Sequence, residues 1–153
     1  MDHSFKAAEE FFNGRNCAQA ITVAFCDVTG MEEHFAARLA SAFGGGMGRS
    51  REVCGAVSGM LMVAGLLYGY DDNGENDCLK KAHYAMVQEL MGKFREEIGS
   101  IICREILKNP PSDPNPCPRT AEYYAQRPCA RMVMTAARIL DAYIAEHPVD
   151  AAL

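Results

Sequence analysis

The sequence predicts an all-α fold. It reads as one domain, residues 1–153, built as a compact bundle of six or seven helices around a central apolar, glycine-rich helix at residues 53–68. Three observations predict this. Apolar residues recur at three- and four-residue spacing along most of the chain, the mark of a helix with one buried stripe. No segment alternates convincingly at period two, and no repeat or linker divides the chain. The run from Val53 to Tyr70 carries no charge, and its neighbours offer amphipathic faces to cover it.

The elements follow in order. "SFKAAEEFFN" starts at Ser4 as N-cap, with Phe5, Ala8 and Phe12 on one face. "GRNCAQAITVAFCDVTG" restarts at Asn16 as N-cap and stops near Gly30. "MEEHFAARLASAF" carries Phe35, Leu39 and Phe43 at four-residue spacing. After "GGGMGRSRE", Val53 to Tyr68 forms the fourth helix, apolar on all sides and therefore central. Its length is near the lower limit for a membrane span, but its four glycines and its amphipathic neighbours favour a core helix. "CLKKAHYAMVQELMGKFREEIG" reads as a long amphipathic helix ending near Gly99, and "SIICREILKN" as a short one with Ser100 as N-cap. Five of the seven prolines fall in "NPPSDPNPCPRT", which is a loop. "AEYYAQR" is a helical turn, and "PCARMVMTAARILDAYIAEH" the last helix, with Pro128 in its first turn.

Composition excludes several functions. The net charge is −5, so a nucleic-acid partner, which needs a basic face, is not expected. Attraction to anionic lipid and stable membrane insertion are not expected either. The N-terminus has no basic start followed by an apolar core, so it does not read as a secretory signal, and the cytoplasm is the expected compartment. Seven cysteines in a reducing compartment point to redox chemistry or metal binding rather than to a permanent disulfide framework.

The cysteines stand at positions 17, 26, 54, 78, 103, 117 and 129, with no Cys-x-x-Cys pair. A shared site must therefore be gathered from separate helices. Cys17 follows Asn16, Cys54 opens the glycine-rich helix, Cys103 comes three residues after Ser100, and Cys129 follows Pro128. All four fall in first turns, where backbone N–H groups lack helical partners and the helix dipole favours a thiolate. Cys26 points away from Cys17 and reads as a small buried hydrophobe. Cys78 opens the long helix, and Cys117 lies between two prolines of the loop.

"GGGMGRS" lacks the Gly-Lys-Ser/Thr ending of a phosphate loop. Its glycines permit positive φ and close approach. Arg49 and Arg51 are placed to stabilise the Cys54 thiolate or to bind an anion, although two solvated arginines fit the pattern equally well. Gly55, Ala56 and Gly59 give a small face for close helix crossing, which brings another cysteine-bearing helix to Cys54. The four histidines form no i, i+4 pair.

With "CGAVSG" at Cys54 to Gly59, its lead-in "GGGMGRSRE", Cys17 in "NCAQA", Cys103 in "GSIICREIL" and Cys129 in "RPCARMVMTAARIL", the chain resembles the redox-active family named for its cysteine pattern, C_GCAxxG_C_C. The resemblance runs from about Ala8 to Ile144. It implies redox activity carried by four shared cysteines, one of which is a selenocysteine in some members. It also implies an association with electron carriers, since similar domains stand beside cytochrome-type proteins.

Three readings of the cysteines remain open at this point. The first is an iron–sulfur or other metal centre held by Cys17, Cys54, Cys103 and Cys129 for electron transfer. The second is a thiol–disulfide oxidoreductase, with Cys54 as nucleophile and Cys17 or Cys129 as resolving thiol. The third is a structural zinc site on the same four residues. The expected partner is a redox protein or a small-molecule reductant. All-round apolar helices are also compatible with a homodimer.

Overall fold

The structure is a computed structural model that describes residues 2–150, and it is all-α. Nine helices are present among the described residues: α1 (His3–Phe12), α2 (Cys17–Ala24), α3 (Cys26–Thr29), α4 (Glu33–Ala40), α5 (Gly55–Tyr68), α6 (Asp77–Ile98), α7 (Cys103–Ile106), α8 (Ala121–Gln126) and α9 (Cys129–Glu146). Six have eight or more residues and form the bundle. The count exceeds six or seven because the second predicted helix breaks at Phe25 into α2 and α3, and because the predicted helical turn at 121–127 forms α8.

The apolar helix α5 is central. One face of it packs on α2, and α6 and α9 cover the others. Val57, Met60, Val63 and Ala64 are fully buried against Phe11, Ile21, Leu90, Phe94, Val133 and Leu140. The crossing of α2 over α5 is as close as the small-residue face predicts. A Cβ on Gly59 would stand 2.8 Å from the Ala18 carbonyl oxygen and 2.9 Å from Ile21 Cβ. One on Gly55 would stand 3.1 Å from Cys17 Cβ. Both glycines are therefore needed for the approach that carries Cys17 to Cys54. Among the described residues no helix is long and apolar enough to cross a membrane.

Several predicted details differ. The α1 N-cap is Asp2, whose carboxylate accepts from Ser4 N–H and Ser4 Oγ–H, so Ser4 lies inside the helix. The packed stripe of α1 is His3, Ala7, Ala8 and Phe11, which leaves Phe5 and Phe12 exposed. In α4 the packed residues are Ala36, Ala37 and Ala40, while Phe35 and Leu39 face out. In both helices the alanine-rich face lets the axes come close, and that outweighs the larger aromatic area on the other face. His3 is a structural tie: its ring lies between Asp141 (2.5 Å) and Asp27 (3.2 Å) and stacks on Phe25.

The central helix begins at Gly55, not Val53. Val53 instead makes an isolated antiparallel bridge with Ile102. Cys54 N–H donates to Ile101 O at 2.8 Å, and Cys103 N–H to Glu52 O at 2.6 Å. The bridge draws α7 to the mouth of α5. Ser100 is not the α7 N-cap; that position is Ile102, and Ser100 Oγ accepts from the Ile102 N–H. Pro128 stands at the α9 N-cap, just outside the predicted first turn.

Candidate functional site

Four helix N-termini deliver the four predicted cysteines to one cavity of about 50 Å³, lined by Cys17, Cys54, Cys103 and Cys129 together with Arg51 and Tyr123. Cys17 is the first residue of α2, set by a capping box in which Asn16 Oδ1 accepts from Gln19 N–H while Gln19 Oε1 accepts from Asn16 N–H. Such a cap is worth ~1 kcal/mol and fixes where the helix starts. Cys54 is the α5 N-cap, and Cys103 and Cys129 open α7 and α9. The remaining three cysteines lie apart from this cavity. Cys26 packs on Val23, Ala36 and Ala37, Cys78 is exposed on α6, and Cys117 sits outside in the proline loop.

The glycine-rich segment builds the second wall. Gly45, Gly46, Met47, Gly48 and Arg49 all have positive φ, between 61° and 71°, and Arg51 does too at 62°. This is one turn of left-handed backbone. Glycine adopts it freely, whereas each L-residue there costs ~1–2 kcal/mol. Met47, Arg49 and Arg51 carry that strain, which the surrounding contacts offset. A Cβ on Gly46 would lie 2.7 Å from Cys103 Cβ, so the turn also packs directly on α7.

The turn aims two arginines at the cysteines. Arg51 is buried, donates Nη1–H to Cys103 Sγ at 3.8 Å and Nε–H to Pro111 O at 2.9 Å. Arg49 donates to Cys117 Sγ at 3.8 Å. The predicted contact of these arginines with Cys54 is therefore made with Cys103 and Cys117 instead.

Two further arginines escape sequence reasoning. Arg119 lies 4.9 Å from both the Phe11 and Tyr123 ring centroids. Arg127 lies 5.0 Å from the Tyr123 centroid and donates to Cys117 Sγ at 3.6 Å. Both come from loop positions without periodicity. The only signal in the sequence was their proximity to Cys117 and Cys129 along the chain.

These surroundings separate the thiols. Cys129 is the acidic one. A hydrogen bond from the Cys17 thiol, then the charges of Arg127, Arg119 and Arg51, outweigh burial and lower it from 9.0 to about 7. Cys17 holds the proton of that pair, and its own thiol is pushed well up, first by this bond and then by burial. Burial raises Cys54 to about 12, although the N–H groups of Ala56 and Val57 pull the other way. Burial also raises Cys103 despite Arg51. The N-terminal donors of α7 are already engaged, since Cys103 and Arg104 N–H bond to Glu52 and Arg51 carbonyls. The sequence placed the nucleophile at Cys54, whereas the electrostatics favour Cys129.

A metal–sulfur centre or a zinc site needs several thiolates turned to a common point. Among the described residues no group of three or more His, Cys, Asp or Glu side chains is arranged to hold a metal ion. The geometry gathers four thiols from four helix N-termini into one cavity, beside Arg51, Arg119 and Arg127.

A family model described as "Putative redox-active protein (C_GCAxxG_C_C)" matches residues 15–143. No curated protein and no solved structure matches the chain.

Proposed function

The chain belongs to the C_GCAxxG_C_C redox-active family, and we propose that it acts as a thiol–disulfide redox protein with Cys129 as the attacking thiolate and Cys17 as the resolving thiol. The observation that carries this reading is the gathering of Cys17 and Cys129, at the N-termini of α2 and α9, into one cavity that all four family cysteines line. A thiol with a pKa near the ambient pH is the best attacking group for exchange.

Cys129 Sγ⁻ attacks one sulfur of a substrate disulfide, forming a mixed disulfide and releasing one thiolate. Cys17 then attacks Cys129 Sγ, forming the Cys17–Cys129 disulfide and releasing the second substrate sulfur, which takes the proton of Cys17. Two electrons pass from the protein dithiol to the substrate. A dithiol protein or a small-molecule thiol returns the pair to its reduced form by the same exchange. Cys54 and Cys103 stay protonated and line the same cavity.

The test is a thiol count with peptide mapping on protein prepared without oxygen. The count falls by two on oxidation with a small disulfide, and the new bond joins Cys17 to Cys129. A coloured preparation containing acid-labile sulfide, four inert thiols, or a disulfide that omits Cys129 overturns the reading.

A further inference from the structure

Outside the cysteine cavity lies a larger one, about 310 Å³, lined by Arg49, Arg51, Arg119 and Arg127 together with Asn16 and Cys117. The two cavities share Asn16, Gly45, Arg51, Arg119, Tyr123 and Arg127, so they form an inner and an outer chamber with a common wall. Four of the chain's ten arginines line the outer one, in a protein of net charge −5. No Asp or Glu lines it. Arg49 meets Asp113 at 3.7 Å, whereas Arg51, Arg119 and Arg127 make no ion pair with a carboxylate among the described residues.

Like charges gathered in one concavity repel, and the left-handed backbone at Arg49 and Arg51 adds strain. Folding alone would not favour such a cluster. An anion relieves the repulsion, and planar guanidinium groups match carboxylate or phosphate oxygens in bidentate fashion. The guanidinium groups of Arg119 and Arg127 are already oriented by stacking on Tyr123, which reduces the ordering cost of binding. The volume suits a small ligand rather than a macromolecule.

We propose that the outer chamber is the substrate site for a small anionic disulfide. Its carboxylate or phosphate groups rest on Arg49, Arg51, Arg119 and Arg127, and its sulfurs are presented across the common wall to Cys129. The proposal rests on the thiol–disulfide reading above and gives it a substrate class. The substrate disulfide takes two electrons and leaves as two anionic thiols, and the protein leaves as the Cys17–Cys129 disulfide.

The experiment compares three disulfides of similar size and different charge: 3,3′-dithiodipropionate (dianion), bis(2-hydroxyethyl) disulfide (neutral) and cystamine (dication). Binding is measured by calorimetry on the Cys129→Ser chain, where the attacking sulfur is absent. The dianion is expected to bind at least about tenfold more tightly than the neutral compound, to lose that advantage in high salt, and to bind several-fold more weakly to C129S protein that also carries Arg119→Gln. Equal binding of all three overturns the anion site. The second arm is the oxidation rate of the wild-type dithiol. The dianion-to-neutral rate ratio is taken within each variant, so any change in the reactivity of Cys129 cancels. Arg119→Gln is expected to lower that ratio, and an unchanged ratio counts against the site. Tight dianion binding without oxidation of Cys17 and Cys129 leaves the anion site standing and defeats the thiol–disulfide reading.

Discussion

The N-termini of α5 and α9 open onto the same cavity, and each presents a cysteine there, yet one thiol is raised to about 12 and the other lowered to about 7. In the sequence the two look alike, a cysteine where a helix begins. At α5 the N–H groups favour the thiolate, but burial at the end of the apolar core costs more. At α9 no side chain caps the helix, a second thiol donates to the sulfur, and three arginines add positive charge. A helix terminus supplies a modest field, worth ~0.3–1 kcal/mol at the surface. The cations and donors gathered around it decide whether a buried thiol ionises.

Removing each sulfur in turn gives the largest expected effect. At pH 7 the fast alkylation of reduced protein by iodoacetamide is expected to fall on the order of 10²-fold in Cys129→Ser, since an ordinary buried thiol is almost wholly protonated there. Cys54→Ser leaves the fast phase in place. A fast phase that survives Cys129→Ser, mapped by mass spectrometry, reverses the assignment.

The pH dependence sharpens it. Alkylation of Cys129 is expected to be half-maximal near pH 7 and to drop about tenfold for each pH unit below that, because the reactive form is the thiolate. Stability follows by linkage. Cys129 binds its proton less tightly in the folded chain, so its contribution is fully present above pH 9.0 and is lost as pH falls toward 7. Cys54 binds its proton more tightly, so its contribution is present below 9.0 and is lost as pH rises toward 12. Denaturant titrations are expected to show Cys129→Ser flattening the rise from 7 to 9, and Cys54→Ala flattening the fall above 9. A tenfold difference in proton affinity between the folded and unfolded chain corresponds to about 1.4 kcal/mol. The same slopes in wild type and both variants sink the assignment.

A smaller effect comes from the crossing that brings α2 to α5. Gly59→Ala puts a Cβ 2.8 Å from the Ala18 carbonyl, so α2 must move. The expected cost is ~1–3 kcal/mol of stability, with a rise in the Cys129 pKa as Cys17 is displaced. Gly65→Ala, on the same helix with nothing within 4 Å, serves as control and is expected to stabilise by up to ~1 kcal/mol. If both variants behave alike in denaturant, the crossing does not depend on Gly59.

Much of this site was legible in the chain because it is written in local chemistry. Asn16 caps α2 as its side chain requires, Gly30 ends α3 in the left-handed region, and the four cysteines each stand at the start of a helix. The family pattern named the same four residues. The acidic thiol was not legible, because its pKa is lowered first by Cys17 and then by Arg127, Arg119 and Arg51, and these groups surround Cys129 only once α2, the glycine-rich turn and the loops have folded around α9. The buried faces of α1 and α4 were misread for a related reason. Phe5 and Phe12, or Phe35 and Leu39, make as good a stripe as the alanines that pack. Only the neighbouring helix, which needs a close approach, selects the alanine side.

The finest test of the contrast between the two termini removes one charge and leaves both sulfurs. Arg127 is the largest charge acting on Cys129, after the Cys17 hydrogen bond and burial, and it does not rank among the main influences on Cys54. Arg127→Gln keeps the length of the side chain and its hydrogen-bonding end. It is expected to raise the midpoint of Cys129 alkylation by about 0.5–1 in pH, as loss of one nearby cation does at a partly screened site. The alkaline limb of stability, which belongs to Cys54, stays where it is. Arg127→Lys restores the charge without the planar fork and is expected to bring the midpoint most of the way back, since the effect on the thiol is a field rather than a bidentate bond. A midpoint that moves equally in the Gln and Lys variants would show instead that Arg127 acts by packing on Tyr123, and the acidity of Cys129 would then rest on Cys17 and the helix terminus.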